Sequence, residues 1–500
     1  MEDEVSVAEI EELDDNDSLV EKEEKLTSDS VLNSYGNTNL YQIWVFLAMA
    51  CCWCYIAPPA LLAPFALGDM CVNTTNCNVT EGSIIQEFNL IGEDAYKAEM
   101  ALSINILGNL FGSTVLSKVA DEKGRRPVLL FCMFSFGICN LFSAFAPNIF
   151  VLACLWMLRG VFSSGLGTVN WVLGYESASF GLRSYFPMIF GYTWVFGYVA
   201  VAPLAYYIHY WRYQVLVSSI PSLIAVAVYY FTVPESFHVC VSKGRNEDVK
   251  KWYTRMNSCS KVKRGLEEAD ELIEQHKQHI RTDGGAENKD SLWTALRKNR
   301  AVQLYMFVFA YTWTVDFFIY AGLNIISTAL AGNKYWNFAL TGLAEIPSYI
   351  VSPYLLDKLG RRGFGIVSHF LTFFAFISAA FIQNPTLSFV FWLFGKFAIS
   401  CAFTAMFVYV SEVFPTAYRS GCIGICMCIS CFGGLATGGI RAVNEIHPNL
   451  PNLIFALAAL VASALTILLP ETRGNELPDT TEEMEQLFRR NRNQEVPLGP

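Results

Sequence analysis

Long apolar runs separated by short polar links are the main pattern of this chain. Runs of about 20 residues almost free of charge, the length that crosses a bilayer core as a helix, recur twelve times. One such run also fits the core of a soluble protein, whereas twelve in series fit only a membrane. The pattern predicts an all-α membrane protein with twelve transmembrane helices, at about 41–67, 98–117, 128–145, 149–174, 188–208, 213–233, 302–329, 337–356, 365–382, 386–410, 421–440 and 452–469.

Polar segments divide the chain into five parts. Residues 1–39 are acidic and rich in serine, with few large apolar residues, so we expect a disordered tail. Residues 40–233 and 301–470 each hold six predicted spans. Residues 234–300 form a charged linker, in which the spacing of apolar residues predicts short amphipathic helices. Residues 471–500 form a second polar tail.

A short basic turn occurs twice, as DEKGRR from Asp121 and as DKLGRR from Asp357. The shift between residues 121 and 357 also relates further identical positions. The related sets are Asp121, Gly124, Arg125, Arg126, Glu176, Pro234 and Glu235, and Asp357, Gly360, Arg361, Arg362, Glu412, Pro470 and Glu471. Identities at one offset, beside membrane-length segments, indicate a duplicated unit of six helices. A single basic turn is also explained as a charge that only sets membrane orientation.

The distribution of Lys and Arg predicts the sidedness of the protein. These residues concentrate in the links after the even-numbered spans, which places the linker and both tails in the cytoplasm. The loop at residues 68–97 then lies outside, where it carries the glycosylation sequons NTT and NVT and a candidate disulfide. The residues concerned are Asn73, Asn78, Cys71 and Cys77. We therefore expect a multi-pass protein of the plasma membrane.

Composition removes several classes of function. The net charge of −10 comes largely from the tails, and the chain offers no basic surface for nucleic acid. Most of the 15 cysteines lie in apolar runs, where Cys packs as a small apolar residue. No group of Cys, His and carboxylates has the spacing of a metal site, and no phosphate-binding GxxxxGK[ST] motif or nucleophile constellation occurs. The sequence therefore predicts neither an enzyme nor an ATP-driven pump, and no cofactor.

The order of motifs resembles a known superfamily. DxxGRR turns after the second and eighth spans, and PES or PET after the sixth and twelfth, resemble the major facilitator superfamily. Within it, NWVLGY, YWRYQ, GLAEIPSY, SEVFPTAYRSGCIG and LPETRGNELPDTTEEM are similar to the organic cation/organic anion transporter family of solute carriers. The family's PESPRW reads PESFHV here. The resemblance covers the chain apart from its tails. It implies the major facilitator fold and a monomeric secondary transporter of small organic ions that works by alternating access.

The basic turns suggest a gating mechanism. Glycine permits the tight backbone of each turn, and Arg side chains bind carboxylates on neighbouring helices. We expect two ion-pair clusters that latch the halves together when the cavity faces outward and break when it opens inward. The clusters contain Asp121, Gly124, Arg125, Arg126 and Glu176, and Asp357, Gly360, Arg361, Arg362 and Glu412. Charges that only set topology are the alternative.

Charged residues inside the spans are candidates for a function, because inserting each charge at mid-membrane costs about 2.5–3.5 kcal/mol of free energy on insertion scales. The resemblance implies structural and gating roles for Arg159 and for Lys396, which lies at nearly the duplicate offset. Glu345, in AEIP of span eight, matches a Glu of the organic cation branch, which implies a cavity carboxylate that attracts cations. A Glu that is paired with Lys396 or Arg159 is the alternative. Asp316, in span seven, is a weaker candidate for either role.

Aromatic residues and span eleven bear on substrate charge. Trp171, Trp194 and Tyr320 fall where the family places cavity aromatics, whose faces attract cations by about 0.5–2 kcal/mol. Cys431 takes the position at which the cation branch carries Asp and the anion branch carries Arg. Arg441, near the outer end of the same span, either attracts anions or anchors the helix at the interface. Taken together, these residues favour cationic or zwitterionic substrates.

Several other functions stay open at this point. An organic anion exchanger needs a cavity cation, and a sugar-type porter usually has a site rich in Gln and Asn, of which spans five, seven and ten offer few. A channel or a non-transporting membrane protein is the other class. Duplicated gating-type turns argue against a channel, because alternating access needs paired gates and a pore does not.

Overall fold

The computed structural model describes residues 26–69, 79–183, 185–283, 299–330, 332–414 and 419–473. Within these ranges the chain forms helices and no strands. The sequons at Asn73 and Asn78 and the cysteine pair Cys71 and Cys77 lie outside the described residues, as do both ends of the chain.

The first half contains six membrane-length helices. They are α1 (Leu40–Leu61, continued by Ala63–Leu67), α2 (Tyr96–Lys123), α3 (Arg125–Ser143), α4 (Ile149–Glu176), α5 (Phe186–Tyr207) and α6 (Trp211–Thr232). Asn39 and Asn148 begin α1 and α4, because each Asn side chain accepts hydrogen bonds from backbone N–H groups of the first turn.

The second half repeats this pattern. Its helices are α7 (Arg300–Ile326), α8 (residues 346–359, preceded by the short helix Lys334–Leu343), α9 (residues 361–381), α10 (Pro385–Val413), α11 (Arg419–Ala436) and α12 (Leu450–Thr466). Asn299, Asn333 and Asn384 cap three of the helix starts.

The prediction of twelve membrane helices is confirmed. Ten segments of the described residues are long and apolar enough to cross a membrane, and Leu450–Thr466 is a shorter apolar helix. One of the ten, Lys334–Phe381, contains both α8 and α9. These two helices follow each other directly and are divided by a turn of the backbone at Gly360, where φ is 79°. The ten segments and the shorter helix therefore account for all twelve spans.

The described part of the linker contains helices. Asn246–Ser258 and Glu268–Asp283 are helical, and Trp252, Tyr253 and Met256 are buried on the apolar face of the first. We call the end of the molecule that carries these helices the linker side, and the opposite end, which carries residues 79–95, the loop side.

The prediction that the tail is disordered up to residue 39 is wrong for its last part. Ser28–Ser34 forms a helix with a capping box at its start, and Val31 and Leu32 are fully buried. Arg183 donates a hydrogen bond to Asp29 at 2.6 Å, which fixes the helix to the link between α4 and α5. Composition missed this helix because a short segment needs few apolar residues when it packs on a surface that already exists.

The departure from the family motif in PESFHV also lies in this region. Phe237 is fully buried and packs edge-on against Trp252, with ring centroids 5.7 Å apart. His238 lies 3.1 Å from Asp29. Burial lowers the pKa of His238 and the nearby Asp29 carboxylate opposes that shift, so the ring is largely neutral at pH 7. Both residues thus help to join the N-terminal helix to the linker.

Helices α2 and α4 approach each other closely because glycine lines their contact. A Cβ at Gly108 or Gly112 would overlap a backbone carbonyl of α4, and a Cβ at Gly160 would overlap a carbonyl of α2. Small residues at a helix contact let the backbones approach in a membrane, where van der Waals packing rather than the hydrophobic effect drives association.

We expect Gly112→Ala to lower the melting temperature of the detergent-purified protein, because overpacking costs about 1–3 kcal/mol. Gly439→Ala is the matched control, since a Cβ at that position meets no atom within 4 Å. Thermal unfolding of both variants measures the difference. Equal melting temperatures would contradict the close approach of α2 and α4.

Candidate functional site

A buried ion pair lies at the contact between the two halves. Lys396 Nζ is 2.9 Å from Glu345 Oε1, and both side chains are 0% exposed. Lys396 also donates to Asn324 Oδ1 at 3.0 Å, and Tyr349 Oη donates to Glu345 Oε2 at 3.3 Å. The pairing of Glu345 with Lys396, which was the alternative to an unpaired cavity carboxylate, is thus present in the structure.

Aromatic side chains from both halves enclose this pair. The Lys396 ammonium lies 3.4 Å from the ring centroid of Tyr320 and 5.7 Å from that of Tyr198. Tyr198 Oη donates to Asn324 Oδ1, and Trp194 Nε1 donates to Tyr320 Oη, each at 2.8 Å. Because Trp194 and Tyr198 belong to α5, they join the first half to the second. The central cluster is defined here as Trp194, Tyr198, Tyr320, Asn324, Glu345, Tyr349 and Lys396.

A break between two helices positions Glu345. The helix Lys334–Leu343 ends at Ala344, and the next helix begins at Ile346 with Pro347 in its first turn. Proline fits a first turn, where its missing N–H leaves no intrahelical bond unmade. The AEIP motif therefore places the carboxylate at the junction of two helical segments.

Two glycines let rings of opposite halves meet at this level. A Cβ at Gly342 would lie 3.0 Å from the ring of Tyr198, and a Cβ at Gly191 would lie 2.7 Å from the ring of Tyr349. Larger side chains at these positions would push the rings away from the ion pair. The glycines thus hold the two halves close around Glu345 and Lys396.

The central cluster sets a charged pair of the second half against aromatic rings of the first. Removing one partner from a buried ion pair costs about 3–5 kcal/mol, because the other charge stays without compensation. Glu345 and Lys396 therefore separate only when water or another charged group takes the place of the lost partner.

Two residues predicted to bind substrate lie apart from the central cluster. Trp171 is 37% exposed and packs edge-on against Phe186 and Phe190. Cys431 Sγ contacts the carbonyl oxygen of Met427 at 3.5 Å. Among the described residues, no hydrogen bond or ring contact joins either of them to the central cluster, and their role stays a prediction.

Arg159 has partners of a different kind from those of Lys396. It is 4% exposed, and its guanidinium donates to Asn105 Oδ1 at 3.1 and 3.2 Å and to Asn140 Oδ1 at 3.2 Å. It also lies over the ring of Trp156, 5.0 Å from its centroid. These contacts join α2, α3 and α4 within one half, which is consistent with a structural role.

Asp316 forms a second buried pair that involves a residue missed in the sequence. Its Oδ1 lies 2.9 Å from His369 Nε2, and both side chains are 0% exposed. His369 Nδ1 lies 2.7 Å from the carbonyl oxygen of Gly365. The sequence does hold a signal that was not used, which is a histidine inside an apolar run.

Arg441 turns into the contact between the halves. It donates to the carbonyl oxygens of Gly68 at 2.9 Å and Pro64 at 3.4 Å, and its Nε lies 3.7 Å from Glu99 Oε1. These three partners belong to the first half, whereas Arg441 follows α11 in the second. Arg441 therefore joins the halves on the loop side, and neither of the two roles predicted for it describes this contact.

Aromatic rings close the same side. Phe65 stacks on Tyr335, with ring centroids 5.5 Å apart, and meets Phe338 edge-on at 5.0 Å. Tyr206 meets Tyr335 at 5.3 Å. Phe338 also packs on Tyr198 at 4.6 Å, which connects this closed surface with the central cluster.

On the linker side of the first half, the basic turn forms a compact cluster. Arg125 contacts Asp121 and lies 3.1 Å from Glu176. The carboxylate of Glu235 accepts hydrogen bonds from the backbone N–H groups of Arg125 at 2.8 Å and Arg126 at 3.0 Å.

The second half repeats this arrangement. Arg361 donates to both oxygens of Glu412 at 2.9 Å and lies 3.5 Å from Asp357. Glu471 accepts from the backbone N–H groups of Arg361 at 2.9 Å and Arg362 at 3.1 Å. The repeated geometry supports the duplication inferred from the sequence.

Sequence reasoning assigned no role to the glutamates of PES and PET, although they obey the same offset. In the structure, Glu235 and Glu471 cap the starts of α3 and α9, where unpaired N–H groups and the helix dipole favour a carboxylate. Gly124 and Gly360 have φ of 113° and 79°, which side chains rarely adopt. A Cβ at Gly360 would also crowd the Glu471 carboxylate at 2.5 Å.

The expected latch between the halves needs a correction. Each cluster joins elements of one half, and the contacts of the described residues include no ion pair between the two clusters. Both clusters are formed while the halves touch on the loop side. The reason is that each carboxylate partner comes from the same six-helix unit as its arginine.

Comparison with known proteins places the chain among transporters. The family model of the sugar (and other) transporters matches residues 73–488. A Caenorhabditis elegans protein with only the general name of a transporter is 32% identical over 92% of each chain. Solute carrier family 22 member 15-like of Xenopus laevis is 30% identical over 81% of this chain and 82% of its own length.

More distant relatives and a solved structure extend this result. An organic cation transporter protein of Drosophila melanogaster is 25% identical over 83% of this chain and 76% of its own. Organic anion transporter 3 of Oryctolagus cuniculus is 26% identical over 87% and 81%. The inward open xylose transporter XylE from E. coli superposes with a TM-score of 0.68 at 17% identity, over 89% of this chain and 99% of its own. That likeness confirms the fold.

We expect Glu176→Gln and Glu412→Gln to destabilise the protein by about 1.5–3 kcal/mol each, because each removes charged hydrogen bonds from a partly buried arginine. Asp121→Asn and Asp357→Asn are matched controls, since these carboxylates are 65% and 81% exposed. Their effect should stay within about 1 kcal/mol, as for surface ion pairs. Thermal unfolding of the four purified variants measures how much stability each one loses. A larger loss of stability in the Asp variants than in the Glu variants would contradict the prediction.

Proposed function

The chain belongs to the sugar (and other) transporter family of the major facilitator superfamily and to its solute carrier family 22 group, and we propose that it moves small organic cations or zwitterions. It is a membrane transporter and not an enzyme. The observation that carries the substrate class is the buried pair of Glu345 and Lys396.

The partners of this pair favour a cation over an anion. When a cationic substrate takes Glu345, Lys396 keeps the side-chain oxygen Oδ1 of Asn324 and the face of Tyr320. When an anion takes Lys396, Glu345 is left with neutral tyrosine hydroxyls, such as that of Tyr349 at 3.3 Å, and no cation. A buried carboxylate with so little compensation is costly. A zwitterion satisfies both charges at once.

Alternating access explains why the cluster spans both halves. We infer that the contacts of Arg441 and the rings of Phe65 and Tyr335 separate when the cavity opens on the loop side. The Trp194 and Tyr198 contacts then loosen, because both residues belong to the half that moves away from Lys396. Substrate that enters between the halves replaces the lost contacts of the central cluster.

The linker-side clusters serve this motion as rigid ends of each half. In this proposal, Arg125 with Glu176, and Arg361 with Glu412, hold neighbouring helices together so that each half rocks as one body. The latch between halves then forms between these two rigid ends when the cavity faces the loop side. This keeps the predicted gating role and changes only which surfaces meet.

We further propose that the linker side faces the cytoplasm in the plasma membrane and that one chain, surrounded by lipid, is the functional unit. The support is the excess of Lys and Arg in the links of that side. Both termini follow to the cytoplasm, because the number of spans is even.

Uptake of three labelled probes by cells that express the full chain tests the substrate class: tetraethylammonium, trimethylglycine and benzoate. We expect saturable uptake of the cation or the zwitterion. Glu345→Gln should reduce that uptake about tenfold or more, because losing a charged contact costs at least about 1.4 kcal/mol. Glu445→Gln, an exposed glutamate on the loop side, is the matched control.

Surface biotinylation separates transport from folding in these variants. If Glu345→Gln does not reach the surface, the double variant with Lys396→Gln restores a neutral pair and takes its place. Undiminished cation uptake in either variant rejects Glu345 as a ligand. Uptake of benzoate alone indicates an organic anion exchanger, and ohmic currents without saturation indicate a channel.

A glycosylation assay tests the orientation. We expect peptide-N-glycosidase to increase the mobility of the wild-type protein from mammalian cells, and to leave Asn73→Gln/Asn78→Gln unchanged, because the loop that carries both sequons faces the lumen during synthesis. An unshifted wild type whose loop cysteines react with impermeant reagents only after permeabilisation would place the loop in the cytoplasm and reverse the topology.

A further inference from the structure

A pair of titratable side chains lies buried in the second half, outside the central cluster. Asp316 is on α7 and His369 is on α9, and they meet at 2.9 Å with no exposed surface on either side chain. We propose that Asp316 and His369 form a proton-binding site whose loading and release couple proton movement to transport. This proposal rests on the proposed transport function and names its coupling ion.

The hydrogen bonds require a proton between the two residues. A backbone carbonyl only accepts, so His369 Nδ1, 2.7 Å from the Gly365 oxygen, must carry a hydrogen. His369 Nε2 and Asp316 Oδ1 then share one more proton, held by either atom. The second oxygen of Asp316 is buried and has no hydrogen-bond partner among the described residues, so a net charge on the pair is poorly compensated there.

Loss of this proton leaves the neutral ring with one hydrogen for two acceptors. In one tautomer the lone pair of Nε2 faces a carboxylate oxygen at 2.9 Å, and in the other the lone pair of Nδ1 faces the Gly365 carbonyl oxygen at 2.7 Å; two acceptors at such distances repel each other. The deprotonated pair also carries a net negative charge in an apolar surrounding. Release therefore favours a conformation in which α7 and α9 separate at this level and water reaches the carboxylate, and uptake restores the buried pair.

The pair is electrically isolated in this conformation. His369 is the only charged partner of Asp316 among the described residues, and Asp316 is the only one of His369. One helical turn from the pair, Met406 of α10 and Thr466 of α12 lie beside Gly365, and neither residue titrates. The titratable groups along the helices packed around it are Arg300, Tyr305, Tyr311 and Tyr320 of α7, Arg361 and Arg362 of α9, Lys396, Cys401, Tyr409 and Glu412 of α10, and Cys422, Cys426, Cys428 and Cys431 of α11.

Helix α7 connects the pair with the central cluster. Asp316 lies four residues, about one helical turn, before Tyr320 on α7. The ring of Tyr320 covers Lys396 at 3.4 Å and its hydroxyl accepts from Trp194. A shift of α7 on proton release therefore moves the ring that bridges the ion pair and the opposite half. Proton occupancy and substrate binding then bias the same motion.

Liposomes that contain the purified full-length protein test this proposal. The probe is whichever of tetraethylammonium, trimethylglycine and benzoate the wild type takes up, and pyranine trapped inside reports the pH. We expect a pH gradient to drive net accumulation of the probe at least fivefold above the value without a gradient, and probe addition to change the internal pH. Asp316→Asn should abolish both effects but keep probe counterflow within about twofold, because exchange needs no net proton movement.

Asp94→Asn, which changes an exposed loop-side carboxylate (52% exposed), is the matched control and should keep proton coupling. If Asp316→Asn is not folded in detergent, Asp316→Asn/His369→Gln, whose amide pair restores a neutral hydrogen bond, replaces it. Wild-type probe flux without any pH change overturns the proposal, as does full proton coupling in the variants. Absence of wild-type counterflow would instead reject the transport function itself, so the two failures are distinguishable.

Discussion

The contact between Glu345 and Lys396 is the constraint on which the rest of the structure depends. Two opposite charges with no exposed surface tolerate burial only together. Their surroundings follow from this: Asn324 and Tyr320 hold the ammonium, Tyr349 holds the carboxylate, and rings of the first half cover both. When the halves part, the pair stays within the second half but loses the cover of Trp194 and Tyr198, so that water or a charged solute can reach it. A helical membrane protein with this property has a natural way to connect the opening of a cavity with the arrival of a charged solute.

The two halves match on the linker side and differ at mid-membrane. On the linker side, Arg125 with Glu176 and Arg361 with Glu412 form matching clusters, and Glu235 and Glu471 cap matching helices. At mid-membrane two nearly corresponding positions differ, because Arg159 is held by two Asn side chains whereas Lys396 is held by a carboxylate. Matching ends suit two bodies of the same fold that rock against each other, and a middle that differs between the halves suits one ligand bound at a single site.

The sequence predicted the features that depend on local composition or on the repeat. Twelve spans, the two linker helices and the arginine–glutamate partners within each half belong to this group. Features that depend on how helices rotate against one another were not predictable. Spacing did not reveal that His369 meets Asp316, that Arg441 turns towards Gly68, or that Ser28–Ser34 folds onto the link after α4. In each case the partner is distant in sequence, and only packing brings the two together.

Distances across the two halves test the account most directly. Spin labels at Lys123 and Lys358 report the linker side, and labels at Tyr207 and Trp336 report the loop side, all on exposed positions. Pulsed electron resonance on the reconstituted protein should show that a transported probe shifts the two distance distributions in opposite directions, one pair closing as the other opens. Distributions that stay fixed, or that lengthen together, would contradict two rigid halves rocking around the Glu345–Lys396 pair.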